Sequence, residues 1–391
     1  MSEFDTEALG DLLPMYYQRL FPANLMYKWL SYGDDSYFAR REFSFTLAGD
    51  IYIRFQSFNN LTEFENELKK KRPEKIDIGA VYTQKPKNRD SSGSFQPESK
   101  EFVLDIDLTD YDDVRTCCEG AKVCEKCWKF IAVAVDILDA ALREDFGFSK
   151  LLWVFSGRRG VHCWVCDEVA RELDTSGRAA VIEYLQVVRG GESKAKKIQL
   201  ADKIHPSIRR ALKVLDPAFE SICKEDQSVF DNVKHLEMLP TDIRDKVQVQ
   251  LRGDERWDNI LHLINEKNEK RDKNKKAASL TLQEIQLQLC YPRLDVNVSK
   301  GLNHLLKAPF CIHPKTGQVC VPFEPKRVHE FKIAEVPTIT KLIDEIGSFD
   351  KEHENQTNIK AWKKTSLASY IKLFEKFVKP QREEMVKTME Y

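Results

Sequence analysis

The 391-residue sequence lacks three features that would narrow its class at once. No apolar run approaches the length of a membrane-spanning helix, so we expect no membrane partner. The N-terminal residues are acidic, without the basic and apolar regions of a secretory signal peptide. The net charge is only −1, whereas proteins that hold nucleic acid by charge alone are usually more basic. Any polyanion site must therefore be local.

Four of the ten cysteines lie close together in the sequence. In a chain with no export signal, clustered cysteines indicate metal ligands in a reducing compartment rather than disulfides. Cys124 and Cys127 have the C-x₂-C spacing that places two sulfurs on one zinc ion. Cys117 and Cys118 are near enough to complete a Cys₄ site, although adjacent side chains diverge. We predict a closed structural Zn²⁺ site without chemistry of its own.

Residues 102–110 have the composition of a buried strand, but two carboxylates, Asp105 and Asp107, interrupt it. Side chains two residues apart in a strand point to the same side, where like charges repel and lose hydration. Two divalent ions about 3.5–4 Å apart would compensate for this, as in phosphoryl-transfer enzymes. The alternative is a strand end whose acids face solvent.

A second acidic strand is predicted at 293–298, with Asp295 and Asn297 on one face. Two-metal sites gather carboxylates from separate strands, so Asp295 could complete the metal site. Taken alone, Asp295 would be interpreted as structural.

A basic, glycine-containing turn separates two predicted strands. Its backbone N–H groups, guanidinium groups and imidazole are donors suited to phosphate oxygens. The alternative is a basic surface turn, with His162 as a core histidine. The residues concerned are Ser156, Gly157, Arg158, Arg159, Gly160 and His162.

Two further regions hold candidate residues. Lys307 and His313 follow the second acidic segment and could neutralise a triphosphate, or could equally lie on the surface. Glu42 and Arg54 lie on opposite strands of a predicted hairpin, where a surface ion pair is the default interpretation.

Hydrophobic periodicity predicts a mixed α/β chain. The expected helices are 8–30 with a break at Phe21-Pro22, 128–145, 169–188, 281–289 and 366–379. The other expected strands are 41–47, 51–55, 76–82, 151–155 and 161–166. The polar residues 190–276 are expected to form a helical insertion, and 349–358 a loose segment.

Five segments resemble the small, catalytic subunit of eukaryotic DNA primase. They are residues 41–45, 52–58, 102–113, 156–164 and 292–301. The resemblance runs from near the N-terminus to about residue 330 and is weaker across 190–280.

The resemblance implies a role for each candidate residue. Asp105, Asp107 and Asp295 would hold two catalytic Mg²⁺ or Mn²⁺ ions, and the four cysteines a structural Zn²⁺. Glu42 would join the catalytic surround. The nucleotide-binding residues would be Arg54, Ser156, Gly157, Arg158, Arg159, Gly160, His162, His304, Lys307 and His313.

The implied fold is the prim fold, with a central mixed β-sheet, an inserted zinc-binding loop at 117–127 and an inserted helical subdomain. The catalytic domain would comprise 1–189 and 281–391, and the helical subdomain 190–280. The implied partners are the large primase subunit, the DNA polymerase alpha complex, a single-stranded DNA template, the RNA primer and ribonucleoside triphosphates, in the nucleus.

Two other classes of function are consistent with the same residues. A metal-dependent nuclease would use the three carboxylates but would have less need of a triphosphate-sized basic site. A non-catalytic zinc-stabilised scaffold subunit would bind no nucleotide with metal.

Overall fold

The computed structural model describes residues 4–89, 95–188, 198–201, 203–273, 280–353 and 359–389. Its strands are β1 (Arg41–Leu47), β2 (Ile51–Gln56), β3 (Lys75–Tyr82), β4 (Pro97–Ser99), β5 (Phe102–Asp107), β6 (Leu151–Phe155), β7 (Gly160–Val165), β8 (Leu306–Lys307) and β9 (Pro322–Phe323). Its helices are α1 (Leu9–Arg19), α2 (Ala23–Ser31), α3 (Asp35–Ala39), α4 (Leu61–Lys71), α5 (Glu125–Glu144), α6 (Glu168–Arg171), α7 (Thr175–Leu185), α8 (Pro206–Glu220), α9 (Thr241–Arg244), α10 (Gly253–Lys273), α11 (Thr281–Cys290), α12 (Val296–Lys300), α13 (Ile339–Glu352) and α14 (Ala368–Met389). Within the described ranges, no helix is both long and apolar enough to cross a bilayer.

The strands form two sheets. The first has the order β2-β1-β3-β4, with β8 also paired to β3, and the second has the order β5-β7-β6-β9. The ladders β1/β2, β1/β3, β3/β8 and β6/β7 are antiparallel. The prediction of one central sheet is therefore wrong. Alternating side chains identify a strand but not its partner. Here the hairpin β1/β2 belongs to the first sheet and the hairpin β6/β7 to the second.

Most predicted elements are confirmed, but the strand at 293–298 is wrong. Residues 292–295 are irregular, and the short helix α12 follows. Leu294, Val296 and Val298 alternate over too few residues to separate a strand from a helical turn. The loose segment predicted to begin at Phe349 is also wrong at its start, because α13 continues to Glu352. Residues 354–358 lie outside the described residues.

Two compact units are present, and they are described separately. The first comprises Met1–Asp105, Ser149–Ala179 and Val296–Tyr391, and it holds the first sheet and most of the second. The second comprises Ile106–Phe148 and Ala180–Asp295, and it holds α5 and α8 to α11. The predicted catalytic and helical domains stay a prediction. Their boundary at 189–190 lies outside the described residues.

The two faces of β1 differ in chemistry, and this positions the site. Phe43 and Phe45 lie on one face and pack with Phe58, the ring of Phe43 lying 5.4 Å from that of Phe58. Glu42 and Ser44 lie on the other face, yet both are completely buried. Buried polar groups need hydrogen-bond partners, so this second face must carry an organised polar network.

Candidate functional site

The carboxylate of Glu42 is the centre of that network. It accepts two hydrogen bonds from the Arg54 guanidinium, from Nε at 3.0 Å and from Nη2 at 3.2 Å. The backbone N–H of Phe55 donates to Oε1 at 3.2 Å, and the Tyr82 hydroxyl donates to Oε2 at 3.0 Å. The predicted pair of Glu42 and Arg54 is thus not a simple surface ion pair, because its acidic member is buried.

Asp77 belongs to the same polar face and was missed by the sequence reasoning. It lies opposite Lys307 in the β3/β8 ladder and accepts a hydrogen bond from the Ser44 hydroxyl at 3.1 Å. Lys75 Nζ lies 3.0 Å from Asp77 Oδ1. The signal was available: Lys75, Asp77 and Gly79 alternate with apolar residues in a strand that is otherwise buried.

The basic turn between β6 and β7 contacts the segment that carries Lys307 and His313. Lys307 Nζ donates to the Ser156 carbonyl at 3.1 Å, and the Gly160 N–H donates to the Ser156 hydroxyl at 3.1 Å. Gly157 has φ +90°, and a Cβ placed there would lie 2.7 Å from the Cβ of His313. Only glycine permits both this backbone conformation and this close approach.

Positive charge is concentrated around His313. Burial, followed by the charges of Lys307, Arg158, Arg159 and Lys315, lowers the pKa of His313 to about 3. The ring is therefore neutral at physiological pH, and its Nδ1 accepts the N–H of Lys315 at 3.2 Å. Four cationic side chains acting on one imidazole form surroundings suited to an anion such as a polyphosphate.

The acidic strand has the alternation that the sequence predicts. Phe102, Val103, Leu104 and Ile106 are fully buried, whereas Asp105 and Asp107 are partly exposed. Asp105 Oδ1 lies 3.7 Å from Nε2 of His162 on β7. Asp107 Oδ1 accepts the N–H and the hydroxyl of Thr109, both at 2.8 Å. These bonds orient the second carboxylate at the point where the strand ends.

His162 is a buried neutral base in this region. Burial, and then the charges of Lys307 and Lys75, lower its pKa to about 3. The same two lysines flank Asp77, so His162 and the polar face of the first sheet share one electrostatic environment.

His304 and Asp295 are the remaining predicted residues. His304 is exposed on the segment before β8, and its carbonyl accepts a hydrogen bond from the buried Lys100 at 2.5 Å. Asp295 belongs to the second unit and immediately precedes α12. Its position relative to Asp105 stays a prediction.

The four cysteines converge before and at the start of α5. Their sulfur atoms all lie within 4.8 Å of one another. Cys124 Sγ lies 3.6 Å from that of Cys117 and 3.9 Å from that of Cys127. Zinc–sulfur bonds of about 2.3 Å in tetrahedral geometry place the sulfurs about 3.8 Å apart. The cluster therefore has the dimensions of a Cys₄ zinc site.

The surroundings of this cluster hold it in place. Gln227 accepts the N–H of Cys117 at 3.1 Å and donates to its sulfur at 3.3 Å, and Arg115 donates to the sulfur of Cys127 at 3.8 Å. Burial raises the pKa of Cys117, Cys118 and Cys127 to about 11 each. A bound cation would offset the cost of ionising these packed thiols.

We predict that the second unit depends on a metal in this cluster. The substitution Cys127→Ser should remove stoichiometric zinc and lower the free energy of unfolding by on the order of 3 kcal/mol or more, because the ligands lose their common partner. Metal analysis and urea unfolding test this. Cys223→Ala, a buried thiol elsewhere in the unit, is the control and should keep its zinc. Full zinc content and unchanged stability in Cys127→Ser would contradict the assignment.

We also predict an acid-dependent stability term from His313. The pKa of His313 is about 6.5 in the unfolded chain and about 3 in the folded chain. As the pH falls from 6.5 towards 3, only the unfolded chain binds a proton at His313, so the free energy of unfolding decreases. His313→Gln should therefore lose less stability than the parent between pH 7 and pH 5, by about 2 kcal/mol. Urea titrations at both pH values measure this. The exposed His329→Gln should behave like the parent, and equal losses in all three proteins would refute the prediction.

Comparison with known proteins identifies the family. Residues 104–325 match the family model described as DNA primase small subunit. The DNA primase small subunit of Drosophila melanogaster is 46% identical, over 96% of this chain and 92% of its own length. That of Caenorhabditis elegans is 41% identical, over 94% and 96%, and that of Saccharomyces cerevisiae 36%, over 93% and 90%. The solved polymerase domain of Mycobacterium tuberculosis Ligase D in complex with DNA is 10% identical and has a TM-score of 0.37. The match covers 85% of this chain and 91% of that domain. The chain belongs to the DNA primase small-subunit family.

Proposed function

We propose that this chain is the catalytic nucleotidyltransferase of a primase, a DNA-directed RNA polymerase that synthesises short RNA primers on single-stranded DNA. The observation that carries the proposal is the concentration of cations around His313 in the same unit as the Asp105–His162 pair. Nucleotidyl transfer needs a cationic site for the polyphosphate of the nucleotide and carboxylates that hold the metal ions.

The cationic residues would bind the triphosphate of the incoming nucleotide. Arg158, Arg159 and Lys307 would pair with its oxygens, and the Ser156–Gly160 turn would supply backbone donors. His313 and His162, both neutral in the free protein, would donate hydrogen bonds. Together they would hold the reacting phosphate in line with the primer's 3′-hydroxyl, which is catalysis by positioning and electrostatic stabilisation.

The carboxylates suit Mg²⁺ or Mn²⁺. Asp105 and Asp107 present hard oxygen ligands at partly exposed positions on one face of a buried strand, the donor type these ions prefer. We assign Asp295 as the third carboxylate. When bound, the two ions would lower the pKa of the attacking hydroxyl and stabilise charge on the leaving pyrophosphate.

Glu42 would act through Arg54. Its oxygens already accept four hydrogen bonds, so its role in the proposal is to position the Arg54 guanidinium beside the nucleotide. The relatives' name, small subunit, accords with a larger partner subunit. We extend the proposal to assembly with that subunit and with the DNA polymerase alpha complex in the nucleus.

The first test is loss of nucleotide addition. Asp107→Ala should lower de novo synthesis on a homopolymer DNA template by on the order of a thousandfold or more, because a metal ligand is lost. Circular dichroism would confirm that the variant is folded, and Asp110→Ala, an exposed acid nearby, is the matched control. Labelled single strand incubated with metal, with and without nucleotides, separates extension from nuclease cleavage. Near-normal synthesis by folded Asp107→Ala protein would overturn the assignment.

The second test concerns Glu42. Glu42→Gln replaces one acceptor oxygen with a donor that faces other donors, so Arg54 should lose its position and the KM for nucleotides should rise about tenfold or more. Tyr82→Phe removes only one of the four donors and should raise KM less. Steady-state kinetics measure both variants. A Glu42→Gln enzyme with unchanged KM and reduced kcat would instead place Glu42 at the reacting atoms.

A further inference from the structure

An aromatic and cationic surface lies beside Arg54. We call Phe55, Phe95, Arg54 and Arg89 the stacking platform. The Arg89 guanidinium lies 4.0 Å from the centre of the Phe55 ring, and that of Arg54 lies 4.9 Å away. The Phe95 ring stacks on the buried Tyr82 at 4.1 Å with an interplanar angle of 1° and meets Phe55 edge-on at 5.9 Å.

The backbone at Phe55 is strained. Its φ is +59°, in the left-handed region that a bulky side chain rarely adopts because the conformation costs free energy. Phe43 pairs with Gln56 and Phe45 with Ile53, so two residues of β2 lie opposite the single residue Ser44. This is a β-bulge, a device that redirects side chains beside functional sites.

A hydrogen bond to Glu42 stabilises the strained backbone at Phe55. The Phe55 N–H donates to Glu42, which also holds Arg54. Phe55 and Arg54 are therefore fixed by the same buried carboxylate. A ring needed only for the core would be buried, but Phe55 and Phe95 are both partly exposed and Arg89 is exposed.

The chemistry of the platform matches that of unpaired nucleic acid. Single strands are held by aromatic rings that stack on bases and by cations that follow the phosphates. A duplex keeps its bases stacked on one another and offers no free ring face at such a surface.

We propose that the stacking platform binds unpaired bases of the single-stranded template next to the nucleotide site. This inference rests on the proposed function, because Arg54 would belong both to the platform and to the nucleotide pocket. The aromatic rings would supply stacking, which tolerates any base, and Arg89 would supply a phosphate or cation–π contact.

The test is the affinity of the full-length chain for a labelled oligothymidylate, measured by fluorescence anisotropy without nucleotide. Phe55→Leu removes the ring, and Phe55→Gly removes both the ring and the backbone strain. Each should weaken binding roughly 5- to 100-fold, in line with the loss of one base–aromatic contact. Thermal melting should show that Phe55→Gly is folded, because glycine accepts the left-handed backbone.

Two controls make the result specific. Tyr52→Leu, at a 51% exposed aromatic on the same strand outside the platform, should bind oligothymidylate like the parent. Arg89→Gln should weaken binding and reduce the slope of affinity against salt concentration by about one phosphate contact. Unchanged affinity in both folded Phe55 variants, or an equal loss in Tyr52→Leu, would overturn the proposal.

The two proposals fail in different ways. If the chain is not a polymerase, the parent protein itself would show no template-dependent nucleotide addition, whatever the Phe55 variants do. If the platform alone is wrong, Asp107→Ala would still abolish synthesis while oligothymidylate binding by the Phe55 variants stayed at the parent value.

Discussion

The buried carboxylate of Glu42 is the interaction on which the first sheet depends. It lies on a strand whose other face packs into an aromatic core, and it is completely removed from solvent. An ionised group in such a place needs several donors, and it receives them from β2, from β3 and from a bulged backbone N–H. The same network therefore holds the Arg54 guanidinium, the β-bulge at Phe55 and the Tyr82 hydroxyl in place.

The cationic and the acidic residues of the proposed site lie on different segments of the chain. Burial and then the surrounding cations lower the pKa of His313 and keep its imidazole neutral, while Asp105 and Asp107 share one face of β5. In the proposed function, a polyphosphate would meet the cations, and its divalent ions would meet the carboxylates.

The cysteine cluster serves another purpose. It lies at the start of a long buried helix, where Gln227 and Arg115 contact the sulfurs, and no group of the nucleotide site belongs to it. A metal ion held by these four sulfurs would add stability to the second unit without leaving an open position for catalysis.

The sequence alone determined the features that depend on local spacing. The C-x₂-C pair, the alternation around Asp105 and Asp107, the β1–β2 hairpin and the basic turn were all predictable, because period and turn chemistry act within a few residues. It also determined the family, through motifs that this chain shares with known DNA primase small subunits. It could not determine that α12 would replace a strand at Asp295.

Tertiary structure decided the rest. Asp77 acquires its place only because β8, far along the chain, pairs with β3 and sets Lys307 opposite it. Gly157 is required because its φ is +90° and because His313 approaches it closely. The sequence pattern predicts a surface ion pair of Glu42 and Arg54, but other elements of the fold bury the carboxylate of Glu42. Hydrogen-bond satisfaction and charge are properties of an environment, and that environment is assembled from segments that no local pattern brings together.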